Sequence, residues 1–316
     1  STLTHWCGDQ AGTDHISADS ARGVIRCDRT READDRSFAG GIGMRGKIIV
    51  TADHTQHRRD IDDNTVLLAT TMGAVAVTEQ AIINDAHRRG MIVPNRRGRD
   101  DQGETQAAGA YVAYPKKGIH EYIGSIDINS LYPSTIRALN MGPETIVGQL
   151  RQTMTDHHLS QKQSAGSTFA DSWEGLFACI EYNSVMNMEA GTEITIDWES
   201  GESTVHSAAE VWKIIFDSHS KWILTANGTI MTYERKGVIP GLLERWYAER
   251  KELQARKKDA KDAKEIAFWD KRQLVKKINL NSLYGAILNP GCRFFDKRIG
   301  QSTTLTGRSI ARHMDS

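Results

Sequence analysis

A single carboxylate near the middle of the chain, Asp127, has neighbours that favour metal and phosphate chemistry. It closes an apolar run and is followed by Ser130, Leu131 and Tyr132, with a proline at the first turn of a predicted helix. Mg²⁺ prefers carboxylate oxygens, and free N–H groups at a helix start favour a phosphate. The ring of Tyr132 would stand between metal and helix, where it could clash with a 2′-hydroxyl group. The segment predicts a metal and phosphate site that selects deoxynucleotides.

A second group of polar side chains recurs at helical spacing. Lys277, Asn281 and Tyr284 are separated by four and three residues, which places them on one helix face. The lysine is a compact charge for a triphosphate, and the amide and ring could shape a base-pair pocket. Gly285 would let a base approach closely, and Arg250 would add a forked donor for phosphate oxygens. This face predicts a nucleotide-binding helix.

Each residue taken singly also has a structural interpretation. Asp127 could cap a helix or form a salt bridge, and Lys277 and Arg250 could lie on a solvated helix face, as most runs of charge do. What favours function is the combination: an aspartate before Ser-Leu-Tyr-Pro-Ser, then, far along the chain, Lys-x-x-x-Asn-Ser-x-Tyr-Gly.

Strands are predicted on the amino-terminal side of the first segment. Residues 111–115 and 122–128 are rich in apolar and aromatic side chains and are separated by a turn-rich stretch. Ile126 and Ile128 would face away from Asp127. The carboxylate would then project from one face of a strand.

Helices are predicted before and after these strands. One helix is expected from Thr78, its candidate N-cap, to a stop at Gly90. Another is expected over residues 208–216, whereas the His- and Gln-rich stretch that follows residue 150 is predicted as a loop.

A hairpin and a helix pair are predicted next. Asn227-Gly228 is a strong hairpin signal because both residues tolerate positive φ. Pro240 opens a helix that would pair antiparallel with a second one leading to Asn281, with a solvated tip near residues 257–264.

Size and composition are those of a globular protein. The chain has 316 residues, enough for two domains, and 39% hydrophobic residues, enough for a core. It contains no run of about eighteen apolar residues, and its N-terminus lacks a signal pattern. We therefore expect a soluble protein of the cytoplasm. Cysteines with no metal-type spacing stand at Cys7, Cys27, Cys179 and Cys292.

The formal net charge is zero, which at first argues against a nucleic-acid partner, because phosphate contacts need clustered cations. Lys and Arg nevertheless concentrate between residues 245 and 277, which fits one phosphate-facing element. Residues 1–62 show no sustained helical or strand period, and either disorder or translation across a frameshift or a gene junction would explain them.

Together the two segments resemble family B DNA polymerases, the replicative kind found in large tailed bacteriophages. The resemblance implies an α+β fold, with a palm made of an antiparallel sheet backed by helices and a fingers subdomain of two antiparallel helices. It implies domain boundaries at residues 1–62 (unassigned), 63–120 (leading into the palm), 121–236 (palm), 237–289 (fingers) and 290–316 (return to the palm).

The resemblance also implies roles. Asp127 would bind two Mg²⁺ ions with help from the Ile128 carbonyl. Ser130 and Leu131 would hold the triphosphate through their amides, and Tyr132 would be the steric gate against ribonucleotides. The remaining candidates would bind the incoming dNTP (Arg250, Lys277 and Asn281) or the base pair and DNA (Tyr284 and Gly285).

The chain departs from the family pattern in two places. Gln254 stands where many relatives have a further lysine. The family's third motif, a hairpin with aspartates on either side of a threonine, is not recognisable before Ser316, since Asp315 continues an apparent helix from Thr303. We therefore expect the isolated chain to be inactive, with the rest of the palm and the thumb encoded in the same gene or in a separate chain.

The expected partners are primer-template DNA, dNTPs and, from the family alone, a sliding clamp and other replisome proteins, with no membrane. The compartment would be the host cytoplasm if the source is viral. A non-catalytic nucleic-acid or replisome-binding module is the alternative. A nucleotide kinase lacks support because no glycine-rich phosphate loop is present.

Overall fold

The computed structural model describes residues 16–19, 24–27, 50–51, 73–95, 106–217 and 219–315. It divides into two compact units, Ser1–Gly73 and Ala74–Ser316. The first unit contains three antiparallel strands that we did not predict from the sequence: β1 (Ile16–Asp19), β2 (Val24–Cys27) and β3 (Val50–Thr51). The hypothesis of disorder or a frameshift over residues 1–62 falls mainly outside the described residues.

The second unit mixes helices and strands. Its helices are α1 (Ala74–Arg88), α2 (Leu131–Ala138), α3 (Thr153–Ser164), α4 (Phe169–Ser172), α5 (Ile180–Met186), α6 (Ala208–Phe216), α7 (Val238–Asp259), α8 (Ala263–Ile287) and α9 (Lys297–Asp315). Its strands are β4 (Ile146–Leu150), β5 (Glu193–Trp198), β6 (Ser203–Ser207), β7 (Trp222–Leu224) and β8 (Thr229–Thr232). None of the helices in this described part combines the length and apolar character needed to span a membrane.

The five strands form one antiparallel sheet in the order β6-β5-β4-β8-β7. The predicted hairpin is confirmed: β7 pairs with β8, and Gly228 between them has φ +74° and donates its N–H to the Thr225 carbonyl at 2.8 Å. The predicted class, an antiparallel sheet backed by helices, is confirmed as well.

Helices α5 and α6 cover the sheet with apolar side chains. Helix α6 has the predicted bounds. A reciprocal capping box between Ser207 and Glu210 fixes its start. The buried cluster under these helices comprises Leu150, Val185, Ile194, Ile196, Ala208, Val211, Ile215, Leu224 and Ile230. This burial fixes the register of β4, β5 and β8.

Helices α7 and α8 form the predicted antiparallel pair. Ion pairs run along it between Lys257 and Asp270, at 2.6 Å, and between Lys276 and Glu249. At its base, buried Asp85 of α1 accepts a hydrogen bond from Arg245 of α7 at 2.8 Å, and Arg89 pairs with the same carboxylate at 2.9 Å. Helix α1 therefore holds the start of the helix pair.

Three local predictions were wrong. Residues 111–115 and 122–128 are not strands, and Ile126 is 75% exposed, because no strand among the described residues lies beside them to supply hydrogen bonds. Thr78 is not a cap: α1 begins four residues earlier, and the Thr78 hydroxyl donates to the Ala74 carbonyl at 2.8 Å. The predicted loop after residue 150 contains helix α3.

Candidate nucleotide-binding site

The first candidate segment lies at the start of α2. Ser130 has φ 53° and ψ 52°, a left-handed conformation that is uncommon outside glycine. The Ser134 N–H donates to the Ser130 carbonyl at 2.9 Å, closing the first helical turn. Because the first N–H groups of a helix have no intrahelical acceptor, the amides of Ser130 and Leu131 are suited to an anion.

Asp127 lies four residues before Leu131, the first residue of this helix. Its side chain is exposed, and it forms no hydrogen bond or ion pair with the residues that the structure describes. Neither the cap nor the salt bridge considered above is therefore formed by described residues. An exposed carboxylate without a partner among the described residues keeps its oxygens available to a cation.

The two candidate segments meet through their tyrosines. The ring centroids of Tyr132 and Tyr284 lie 4.5 Å apart with an interplanar angle of 48°, which is a favourable tilted aromatic pair. Burial raises the pKa of both phenols, and each therefore carries its proton at neutral pH. The contact sets the start of α2 against the last turns of α8.

The polar face of α8 is open to solvent. Lys277, Asn281 and Gly285 are exposed, whereas the adjacent Lys276 is buried and paired with Glu249. The helix therefore uses one lysine for packing and presents the other outward. Asn281 and Lys277 lie one turn apart and point from the same side.

Arg250 contributes from α7. Its Nε donates to Gln273 Oε1 on α8 at 3.4 Å, and Gln273 lies one turn before Lys277. The guanidinium and the Lys277 ammonium therefore lie along the same side of the helix pair. In addition, the Arg137 guanidinium of α2 lies 4.5 Å from the Tyr247 ring centroid of α7, which ties this pair to the first segment.

The structure joins some of the predicted residues and leaves others separate. Contacts connect Tyr132 to Tyr284, and Arg250 to the helix that carries Lys277. Within the described ranges, neither hydrogen bonds nor ion pairs connect Asp127, Lys277 or Asn281 to the other candidates.

The donor set for a metal ion is small. The described residues contain no group of three or more His, Cys, Asp or Glu side chains placed to hold one. One carboxylate and the Ile128 carbonyl suit Mg²⁺ nevertheless, because this ion keeps several waters and is held by few carboxylates together with substrate phosphates.

Gly307 and Arg308 of α9 are residues of this region that we did not single out from the sequence. A Cβ atom on Gly307 would lie 3.1 Å from Cε1 of Tyr132. The buried Arg308 donates to the Trp173 carbonyl at 2.6 Å. The available signal was a glycine inside an otherwise helical segment, where it costs stability relative to alanine.

A sheet with a helix pair set against the helix after Asp127 is the architecture of palm-and-fingers polymerases. The sequence model described as DNA polymerase family B matches residues 64–316. The chain belongs to the family B DNA polymerases. The family match begins just after the unassigned residues 1–62.

Individual relatives agree with this assignment. The chain is 26% identical over 235 residues to DNA polymerase 2 of Aeropyrum pernix, covering 74% of this chain and 21% of the relative. It is 23% identical over 252 residues to the DNA-directed DNA polymerase of Escherichia phage RB69, covering 77% of this chain and 26% of the relative. This chain therefore spans about a quarter of the length of these relatives.

The fold is similar to that of a solved structure, the family B DNA polymerase from the archaeon Pyrobaculum calidifontis. The TM-score is 0.50 with 18% identity, over 83% of this chain and 26% of the other. At this identity the likeness concerns the fold alone.

Proposed function

We propose that this chain supplies the nucleotide-binding part of template-directed DNA synthesis, in which a nucleotidyl group passes from a dNTP to a primer 3′-hydroxyl. The observation that supports it best is the Tyr132–Tyr284 contact. It brings the segment after Asp127 and the polar face of α8 together, although the two are far apart in sequence. Because the chain belongs to the family B DNA polymerases, we interpret this juxtaposition as a site for the incoming dNTP.

In this proposal each candidate residue has a role. Asp127 and the Ile128 carbonyl hold magnesium, and the amides of Ser130 and Leu131 bind triphosphate oxygens at the start of α2. Tyr132 excludes a 2′-hydroxyl group. When two magnesium ions are bound, they neutralise phosphate charge and activate the primer hydroxyl.

The helix pair contributes the remaining contacts. Arg250 and Lys277 provide cations along one side of α7 and α8, where a triphosphate would be neutralised. Asn281, Tyr284 and Gly285 line the wall against which the new base pair forms. The exposed Gly285 has no heavy atom within 4 Å of an added Cβ, which leaves room for a base.

We further propose that activity requires polypeptide outside this sequence. Asp127 alone is too small a donor set for two metal ions, so a second carboxylate, together with the rest of the palm and the thumb, would come from the same gene or a separate chain. The proposed substrates are primer-template DNA and dNTPs, and a sliding clamp remains a predicted partner. The domain boundaries given above and a cytoplasmic site of action also remain predictions.

Primer extension tests this function. The chain alone, with Mg²⁺, dNTPs and a primed template, should not extend the primer at a useful rate. Addition of a polypeptide carrying the aspartate hairpin and thumb should restore extension. Asp127→Asn should abolish the restored activity, and Asp315→Asn should leave it intact, because Asp315 is an exposed carboxylate at the end of α9.

Two results would contradict the proposal. Extension by the chain alone that depends on Asp127 would show that no outside carboxylate is needed. A restored activity that survives Asp127→Asn would show that the metal site lies elsewhere.

A further inference from the structure

Gly307 occupies a position in α9 where only glycine fits without displacing the candidate gate. A Cβ atom there would lie 3.1 Å from Tyr132 Cε1, 3.6 Å from Tyr132 Cδ1 and 3.6 Å from Leu131 Cδ2. Glycine inside a helix costs about 1 kcal/mol relative to alanine. The helix therefore gives up stability where its backbone meets the Tyr132 ring.

The helix backbone is anchored at this point. Arg308 Nη2 donates to the Trp173 carbonyl at 2.6 Å, and Ser309 Oγ donates to the Phe177 carbonyl at 3.0 Å. On the other side of Gly307, Thr306 Oγ1 accepts the Ala226 N–H at 3.3 Å. With both neighbours of Gly307 held, a methyl group there has to be accommodated by the ring.

The ring itself is held on a second side. Its centroid lies 4.5 Å from that of Tyr284, and its edge lies against Gly307. Tyr132 is only half-buried, so its remaining side is open. Pressure from α9 would move the ring by a few tenths of an ångström toward this open side. Since Gly307 and Tyr284 cover the other two sides, a sugar in contact with the ring has to approach from the open side.

We infer that Gly307 is a positioning residue for sugar selection: its missing side chain lets the Tyr132 ring sit back far enough to admit a deoxyribose. This inference rests on the proposed function, in which Tyr132 is the gate. The position of the Tyr132 ring would then be set by α9, a helix that follows both candidate segments in the sequence.

The test is Gly307→Ala in the full chain, with Mg²⁺-dependent binding of dATP and ATP measured by calorimetry. The displaced ring should lower dATP affinity about threefold or more and ATP affinity further, so that discrimination increases. In a Tyr132→Ala background the same substitution should have no effect, because its target is gone. In a Tyr132→Phe background the effect should persist, since the contact is made by ring carbons.

Gly191→Ala is the matched control, because a Cβ on Gly191 would meet no heavy atom within 4 Å and its φ is not positive. It should leave both affinities unchanged. If Gly307→Ala alone fails to fold, the Gly307→Ala/Tyr132→Ala double variant should fold, since removal of the ring removes the clash. A double variant that also fails to fold would overturn the inference.

The outcomes separate the inference from the proposed function. A wild-type chain that binds neither nucleotide, or binds both equally, would contradict the gate and the inference with it. If the wild-type chain binds dATP more tightly than ATP and Gly307→Ala has the same two affinities as the wild type, the inference alone is overturned. If Gly307→Ala changes the nucleotide affinities equally in the wild-type and Tyr132→Ala backgrounds, the inference is overturned as well, because the effect would then not depend on the ring.

Discussion

Tyr132 and Tyr284 lie with ring centroids 4.5 Å apart, and this pair joins the helix that follows Asp127 to the exposed polar face of α8. The phenols are partly buried, and burial raises the pKa of each. A nucleotide bound by both segments would therefore lie beside this aromatic pair.

Removal of the Tyr132 ring should weaken sugar selection. In Tyr132→Ala the discrimination between dATP and ATP should fall by about tenfold or more, because a steric exclusion of this size is lost. Incorporation by the complemented enzyme, or Mg²⁺-dependent binding by the chain, measures this ratio. Tyr122→Ala, which removes a fully exposed ring, should leave the ratio unchanged. Unaltered selection in Tyr132→Ala would refute the gate assignment.

The hairpin glycine Gly228 should be far less replaceable than Gly201. Both have positive φ, +74° and +90°, so alanine strains the backbone at either position by about 1 kcal/mol. At Gly228 the added Cβ would also lie 3.0 Å from Leu150 Cβ and 3.2 Å from Cys179 Sγ, whereas at Gly201 it would meet open space. Chemical denaturation should show a larger loss for Gly228→Ala. Equal losses would show that the contact with Leu150 and Cys179 is readily relieved.

Trp246 anchors α7 in the core. Its side chain is 0% exposed, so Trp246→Ala should cost about 3–5 kcal/mol of unfolding free energy. Its Nε1 has no hydrogen-bond partner in the described part of the chain, so Trp246→Phe removes an unsatisfied donor, leaves a smaller cavity than alanine does, and should cost less than Trp246→Ala. Equilibrium unfolding of both variants checks the ranking. A phenylalanine variant as unstable as the alanine variant would show that the indole donor is satisfied in solution.

Asp197 should contribute to acid sensitivity. Hydrogen bonds from Arg151 and Ser203 hold the pKa of Asp197 below its ordinary value of 3.8. A carboxylate whose folded pKa is depressed stabilises the fold above its unfolded pKa, and this contribution is lost as the pH falls through the folded value. Asp197→Asn should therefore lower stability at neutral pH and reduce its decline below about pH 4. Identical pH profiles of the wild type and the variant would contradict this assignment.

Local sequence patterns were enough to predict the elements whose stability is local. The Asn227-Gly228 turn, the capped helix α6 and the paired helices α7 and α8 depend on turn chemistry, capping and helical period. These signals lie within a few residues of the elements that they define. The pairing of the two candidate segments could be expected only through the family resemblance.

Elements that depend on distant partners could not be predicted in the same way. Residues 122–128 alternate like a strand, yet they have no neighbouring strand among the described residues, and Ile126 remains exposed. Helix α3 is held by the buried Glu181, which accepts the Met154 N–H at 2.7 Å and the Thr155 hydroxyl at 2.5 Å. The hydrophobic period of residues 153–164 gives no information about a stabilising carboxylate that comes from a later helix.

The most direct measurement is calorimetric titration of the chain with dATP in the presence and absence of Mg²⁺, for the wild type, Asp127→Asn and Asp315→Asn. We expect Mg²⁺-dependent binding that Asp127→Asn abolishes and Asp315→Asn preserves. Binding that is independent of Mg²⁺ and of Asp127, or no binding at all, would contradict it and favour a non-catalytic nucleic-acid or replisome-binding module.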